Sequence, residues 1–252
     1  MNRRLKTTET SFEIIDLLWE LDGATISALS DRLDLAKSTI HGHLKTLESN
    51  RLVVKEANEY HLGVRFFQYG EFTRRRKPEY EIARQYVDRI AEQSQEGTNF
   101  CVAEHGKIMV LFGASMPDDP VYDIGEFFAM HNTAVGKAIL AELPEDRVEE
   151  VIDRWGLPEH TENTITTRRA LLEELETVRQ RGYAYNRAEL LPGLNSVGTA
   201  VKRPDESVVG ALSVGGPAYR IRGQRLEEDL TDLLMETKRE FETEVASIYL
   251  PD

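Results

Sequence analysis

Residues 37–45 carry cations and short hydrogen-bond donors within a segment whose apolar residues follow a helical period. Ile40, Leu44 and Leu47 recur at i, i+4 and i+7, which predicts a helix with one buried face. The side chains left on its outer surface are those of Lys37, Ser38, Thr39, His41, His43 and Lys45. Side chains of these types contact DNA phosphates and base edges, so this helix is a candidate for DNA binding. The alternative is a small protein–protein module with a solvated polar face.

A metal site is not expected at the two histidines of this segment. His41 and His43 are two residues apart, so on a helix their side chains point in different directions, and no cysteine or third histidine lies nearby. Neither an H-E-x-x-H motif nor a clustered carboxylate pair is present elsewhere. The sequence therefore predicts no metal and no cofactor.

Two further motifs resemble catalytic ones. The segment ALSVG at residues 211–215 is one residue from a nucleophile elbow, so a serine hydrolase that uses Ser213, with an accessory helical domain, is the alternative function. The elbow requires a helix directly after the serine, whereas Gly216 and Pro217 follow here. The pair Gly136-Lys137 lacks the Ser/Thr that a phosphate-binding loop carries after its lysine. We expect a protein that is not an enzyme.

The elements around the candidate helix predict a winged helix-turn-helix over residues 1–63. Helices are expected at residues 10–21, 25–33 and 37–50, the first with a capping box formed by Thr10 and Glu13. Strands at 52–54 and 60–62 enclose a polar tip, which predicts a hairpin. Lys55 in this wing is a further candidate phosphate contact.

A change of charge and a proline separate this region from the rest of the chain. An amphipathic segment at 64–77 ends before Pro78 and predicts a linker helix over 64–78. Residues 79–252 alternate predicted helices and strands, and form an α+β domain around one mainly antiparallel sheet. The predicted helices cover residues 80–96, 133–143, 145–155, 167–181 and 224–248, and the predicted strands cover 99–103, 108–113, 183–186, 196–202 and 207–214.

The net charge of −13 is unevenly distributed. Residues 1–77 hold 13 basic and 11 acidic side chains, whereas residues 78–252 hold 18 and 33. DNA is therefore expected to bind the first region and to be repelled by the second. Acidity of this density is also typical of proteins from halophiles. Without a long apolar run or a signal peptide, we expect no membrane partner and a cytoplasmic location.

Several segments resemble the IclR-type transcription regulators. In the first region these are TISAL at 25–29, KSTIH at 37–41 and LKTLE at 44–48. In the second they are HNTAVGKAILA at 131–141, the stretch from RGYA at 181–184 to SVG at 196–198, and ALSVGGP at 211–217. The resemblance covers nearly the whole chain. It departs at Gly42, where many members carry arginine, at Ala36, at Asn186, at Ser196 and at residues 202–203.

The resemblance implies a GAF-like sensor domain, a homodimer or homotetramer, and operator binding that a small-molecule effector modulates. It implies an effector pocket formed by Ala134, Val135, Asn186, Ser196, Ser213 and Gly215. An amide, two hydroxyls and a helix N-terminus near residues 133–136 suit a small polar ligand with a carboxylate. An organic acid or a sugar-related compound is expected. An apolar set either lines this pocket or belongs to the core, namely Met109, Leu111, Phe127, Phe128 and Met130.

Overall fold

The computed structural model describes residues 5–114 and 124–249. The chain divides into two compact units, one that ends at residue 76 and one that begins at residue 77. The first unit contains α1 (Lys6–Glu20), α2 (Ile26–Leu33), α3 (Lys37–Ser49), β1 (Val53–Glu56), β2 (Glu59–Leu62) and α4 (Arg65–Arg74). Three helices followed by an antiparallel hairpin confirm the predicted winged helix-turn-helix.

The helices of the first unit pack around one apolar core. Ile40, Leu44 and Leu47 of α3 are buried, as their spacing predicts, and they belong to one cluster with Ile14 and Leu18 of α1. Burial of this face fixes which side of α3 remains exposed. The spacing of the apolar residues therefore determines which side of α3 faces the solvent.

Two hydrogen bonds shape the turn between α2 and α3. Asp34 adopts a left-handed conformation with φ of 51°, which ends α2. The hydroxyl of Ser30 donates to the carbonyl of Leu35 at 2.6 Å, and the amide of Leu35 donates to the carbonyl of Ser30 at 3.2 Å. These bonds hold the three-residue connection that sets the direction of α3.

The predicted start of α1 is wrong. The helix begins at Lys6, one turn before Thr10, and Leu5 precedes it without a side-chain cap. No glycine or proline lies between Lys6 and Thr10, so the helical hydrogen bonds continue back to the carbonyl of Leu5. Thr10 is consequently a buried interior residue rather than the cap in a capping box with Glu13.

The second unit is built on one six-stranded sheet with strand order β5-β4-β3-β8-β7-β6, and every pairing is antiparallel. This confirms the predicted α+β domain. Its strands are β3 (Gly97–Glu104), β4 (Lys107–Ala114), β5 (Phe127–Phe128), β6 (Ala184–Arg187), β7 (Leu194–Lys202) and β8 (Val208–Pro217). Its α-helices are α5 (Pro78–Ser94), α6 (Ala134–Glu142), α7 (Glu145–Trp155), α8 (Arg168–Arg181) and α9 (Thr231–Tyr249).

Helices cover both faces of this sheet. Phe100 and Leu212 point to the face that α5 and α9 cover. The residues next to them in sequence, Cys101 and Ala211, point to the opposite face, which α6, α7 and α8 cover. Because successive side chains of a strand alternate, each strand contributes to both cores. The residues under α6 are small, and this lets that helix approach the sheet closely.

Some boundaries differ from the sequence predictions. α5 begins at Pro78, where a proline needs no amide hydrogen, and ends at Ser94 because Gln95 is left-handed. The short β5 was not predicted, and the last helix is preceded by a π-helical turn, Arg225–Leu230. No helix of the described residues has the length and apolarity needed to cross a membrane. Over the same residues, no three His, Cys, Asp or Glu side chains form a metal-ligand group.

Candidate functional sites

The outer surface of α3 presents most of the side chains that the sequence proposes for DNA contact. Exposed along this helix are Lys37, Ser38, Thr39, His41, Gly42 and Lys45. Lys55 is exposed on the wing, with its Nζ 5.5 Å from the centre of the Tyr60 ring. The arrangement offers cations on two elements and short donors on α3, which matches the requirements of phosphate and base-edge contact.

His43 differs from the expectation that it faces outward. Its ring is half-buried, and its Nδ1 lies 2.8 Å from the hydroxyl of Ser11 on α1. This hydrogen bond ties α3 to α1. His43 therefore positions the helix within the domain, and the apolar period alone could not reveal a polar contact of this kind.

The exposed surface of α3 has a gap at Gly42. A Cβ placed on Gly42 would meet nothing within 4 Å, so the fold leaves room for a side chain at this position. The N-terminus of α3 also lacks a side-chain cap, because Ala36 occupies that position. The helix consequently depends on its packing against α1 and α2.

Five of the six residues proposed for the effector pocket line one cavity in the second unit. They are Ala134, Val135, Asn186, Ser196 and Ser213. The cavity has a volume of about 30 Å³, which is room for about two water molecules at the roughly 10–15 Å³ that each needs. The sixth residue, Gly215, does not line it. A Cβ on Gly215 would lie 2.4 Å from Cβ of Ser196, so this glycine makes room for the serine.

Strand register brings the polar side chains of this cavity together. Asn186 pairs directly with Ser196 across β6 and β7. Ser213 pairs with Gly198 on β7 and with Asn99 on β3. Facing residues of paired strands point to the same side of a sheet. The polar side chains of β6, β7, β8 and β3 therefore meet on one face of the sheet, at this cavity.

The N-terminus of α6 closes the cavity. Thr133 caps the helix by accepting a hydrogen bond from the amide of Gly136 at 3.1 Å. The amides of Ala134 and Val135 make no hydrogen bond with the described residues and are free to bind an anion. A Cβ on Gly198 would lie 2.8 Å from the amide nitrogen of Val135, so only glycine on β7 lets the helix start so close to the sheet.

Asn186 is held in place by the loop that follows β6. Its Oδ1 accepts hydrogen bonds from the amides of Glu189 at 2.8 Å and Leu190 at 3.4 Å. Asn186 is almost completely buried, and its Nδ2 has no partner among the described residues. The amide oxygen therefore orients the side chain, and the NH₂ group remains available to a ligand.

A buried ion pair next to the cavity was not predicted. Nζ of Lys137 lies 2.6 Å and 2.8 Å from the two carboxylate oxygens of Glu189, and both side chains are buried. Glu174 approaches the same Nζ at 3.6 Å. The motif Gly136-Lys137 is therefore structural. In the sequence, a lysine within the otherwise apolar helix α6 was the feature that indicated a buried carboxylate partner.

Five other residues that line the cavity were also not predicted, namely Asn99, Cys101, Ile108, Val110 and Thr133. Asn99 and Cys101 lie two residues apart on β3, and the strand period could have identified them. Burial raises the pKa of the Cys101 thiol to about 12. The thiol is consequently protonated, so Cys101 contributes apolar surface to the cavity and is not a nucleophile.

Comparison with known proteins identifies the family. Residues 77–242 match the family model for the C-terminal part of the bacterial transcriptional regulator IclR, and residues 8–57 match the IclR helix-turn-helix domain. The two matches cover most of the chain. It belongs to the IclR family.

Relatives and solved structures match over nearly the full length. A probable HTH-type transcriptional regulator ArcR of Halobacterium salinarum is 32% identical, covering 93% of this chain and 91% of its own. The crystal structure of Thermotoga maritima IclR is 25% identical with a TM-score of 0.79, covering 96% of this chain and 99% of that one. An IclR homolog complexed with 4-hydroxybenzoate, from Microbacterium hydrocarbonoxydans, is 21% identical with a TM-score of 0.76, covering 88% of this chain and 91% of that one.

As an IclR-family protein, the chain is a transcription regulator with a DNA-binding domain and an effector-binding domain. The alternative of a serine hydrolase finds no support in the surroundings of Ser213. Ser213 lies inside β8, which continues to Pro217, and not at a turn from strand to helix. No histidine is among the described residues that line its cavity. Ser213 is one of the residues that line the strand cavity.

Proposed function

We propose that this chain is a dimeric regulator, alone or paired into a tetramer, that binds a double-stranded operator through α3 and the wing. A short carboxylate-bearing effector in the strand cavity sets its affinity for that operator. Operator DNA places such a regulator in the cytoplasm, and the proposal includes no catalytic step. The observation that carries it is the convergence of Asn186, Ser196 and Ser213 on the free amides of α6.

The chemistry of the cavity favours an anion. Ala134 and Val135 line it at the N-terminus of α6, where amides without a partner favour an anion, and the Nδ2 of Asn186 adds a donor. The side chain of residue 186 is an amide where the family often has an acid, so it does not repel a carboxylate. The hydroxyls of Ser196 and Ser213 both donate and accept, which suits a keto or hydroxyl group next to the carboxylate.

The size of the cavity favours a short acid over a sugar acid or an aromatic acid. A volume of about 30 Å³ holds about two water molecules, so a short acid requires a small outward movement of the walls and a ring requires a larger one. The Microbacterium relative holds 4-hydroxybenzoate, which is also a carboxylic acid. The carboxylate is therefore the shared feature, and the size of the acid is specific to each pocket.

The effector arm of the proposal is tested by thermal shift and by anisotropy of a labelled promoter fragment. Keto acids of two to four carbons should raise the melting temperature and change DNA affinity, whereas a sugar acid and 4-hydroxybenzoate should not. The double variant Ser196→Ala/Ser213→Ala should lose the effector response and keep ligand-free DNA binding. Ser247→Ala on α9 is the matched control. A double variant that responds at wild-type concentrations would remove this cavity from the proposal.

The DNA arm is tested with Lys37→Ala/Lys45→Ala. Each lost phosphate contact should reduce the slope of log affinity against log salt by about one, so the double variant should lose about two. Arg169→Ala, which removes a highly exposed cation from the sensor domain, should leave the slope unchanged. An unchanged slope in the lysine variant would show that α3 does not contact the operator through these cations.

The dimer arm rests on exposed aromatic side chains in the first unit. Phe12 and Trp19 of α1 are 60% and 72% exposed, and Phe67 and Phe72 of α4 are 72% and 75% exposed. Large apolar side chains exposed together mark an interaction surface. A second copy is the expected partner, because one winged helix offers few contacts and an operator with two half-sites requires two.

A further inference from the structure

The second unit contains another cavity, much larger than the one formed by the strands. Its volume is about 430 Å³, within the roughly 300–1,000 Å³ that is typical of ligand sites. It lies between β5, the segment that precedes α6, and the helices α7 and α8. Of the residues described around the two cavities, only Phe128 lines both. The larger cavity can therefore be altered without changing the polar groups of the smaller one.

The walls of the larger cavity are mainly aromatic and aliphatic. Phe127, Phe128 and Trp155 line it, and Phe127 and Trp155 keep 49% and 40% of their surface exposed. Trp155 is fixed, because its Nε1 donates to the carbonyl of His105 at 2.8 Å and Nζ of Lys107 lies 4.4 Å from its ring centre. Aromatic rings that are fixed in position and partly exposed can pack against the aromatic ring of a ligand.

His131 is the buried polar group of this cavity. Its Nε2 lies 3.0 Å from the carbonyl oxygen of Pro158, and a carbonyl can only accept, so Nε2 carries a hydrogen. Burial lowers the pKa of His131, which keeps the ring neutral. Its Nδ1 is therefore an acceptor, and it has no partner among the described residues. A ligand atom that reaches it must be a donor.

The charged side chains of the lining do not select for an ion. Glu126 and Lys107 both line the cavity and carry opposite charges, and His160 lines it at the exposed side. The smaller cavity presents backbone donors to an acid, whereas the buried polar atom of this one, Nδ1 of His131, is an acceptor. The two sites therefore differ in the ligand chemistry that they recognise.

We propose that the larger cavity is a second ligand site, for a neutral hydroxylated aromatic molecule of the phenol class. Its ring packs against Trp155 and Phe127, and its hydroxyl donates to Nδ1 of His131. This site is separate from the acid-binding cavity of the proposed function, with which it shares only Phe128 among the described lining residues.

The experiment uses the full chain with Trp19→Phe, which leaves Trp155 as the sole tryptophan. Titration with 4-methylphenol should change the Trp155 fluorescence and saturate. Toluene, which has the same shape without the hydroxyl, should bind about tenfold more weakly, as expected for one lost hydrogen bond. In His131→Phe the difference between the two compounds should disappear. Ser213→Ala, in the other cavity, should leave both affinities unchanged.

Phe127→Ala provides a second variant that should fold normally, because Phe127 is half exposed. This variant should bind both 4-methylphenol and toluene severalfold more weakly. The proposal is overturned if 4-methylphenol produces no saturable change, or if it binds Phe127→Ala and His131→Phe as it binds the parent. It is also overturned if Ser213→Ala abolishes binding, because the phenol would then occupy the acid-binding cavity.

Discussion

Nζ of Lys137 lies 2.6 Å from Oε1 of Glu189, with Lys137 2% exposed and Glu189 6% exposed. Lys137 belongs to the first turn of α6, and Glu189 donates its amide to the side chain of Asn186. The ion pair therefore joins the two walls of the proposed effector cavity. A pair in this position keeps the free amides of α6 and the Asn186 side chain at a fixed separation.

Breaking this pair should destabilise the sensor domain strongly. Lys137→Met leaves the carboxylate of Glu189 buried without its partner, which should cost about 3–5 kcal/mol in urea unfolding. Arg147→Met removes a pair in which both side chains are more than 60% exposed, and should cost less than about 1 kcal/mol. Lys137→Met/Glu189→Leu should recover part of the loss. Equal effects of the two single variants would contradict this role.

Two glycines should respond in opposite ways to alanine. Gly42→Ala should stabilise the first unit by about 1 kcal/mol, because alanine favours a helix interior and the added Cβ meets nothing. Gly198→Ala should destabilise the second unit by about 1–3 kcal/mol, because its Cβ would overlap the start of α6.

Single-tryptophan chains separate the two glycine measurements. Trp19 reports unfolding of the first unit, and Trp155 reports unfolding of the second. A stabilised Gly198→Ala would mean that α6 does not require this close approach.

His131 should make the sensor domain less stable at mildly acidic pH. Burial lowers its pKa in the folded state, so below about pH 6.5 the unfolded chain binds a proton that the folded chain does not. Stability should therefore fall as the pH decreases from 7 towards the folded-state pKa. His131→Phe should flatten this slope in unfolding experiments from pH 5 to 8, whereas His105→Asn, at an exposed turn, should keep it. A slope that persists in His131→Phe would assign the effect to other groups.

The exposed aromatic residues of α1 and α4 predict an oligomer that substitution can dissociate. Phe67→Glu/Phe72→Glu should convert the dimer to a monomer in light scattering at micromolar concentration and should weaken operator binding. Phe127→Glu places the same charge on an exposed ring of the sensor domain, and should leave the dimer intact if the first unit forms the interface. A wild-type chain that is monomeric with and without DNA would contradict the dimer itself.

The sequence was sufficient for the fold because the apolar periods of the helices and strands are long and regular. Residues Ile40, Leu44 and Leu47 fixed the orientation of α3, and the motifs around Asn186, Ser196 and Ser213 located the cavity. Contacts between distant polar residues were not accessible in this way. The hydrogen bond of His43 to Ser11 and the pairing of Lys137 with Glu189 span 32 and 52 residues, and no local period encodes them. The halophilic origin that the acidity suggests stays a prediction.

The register of β6, β7 and β8 has a consequence for engineering this protein. Ser196 and Ser213 lie on separate strands that are fixed by backbone hydrogen bonds, so each serine can be exchanged without moving the other. Asn186 also holds the loop after β6 and should be kept. A deletion of one residue within β7 would have a different effect. It would turn Ser196 to the core under α9 and bring its neighbour Val197 into the cavity, since alternate residues face opposite sides. Libraries for new ligands of this cavity should therefore vary the side chains of residues 196 and 213 and keep the length of every strand.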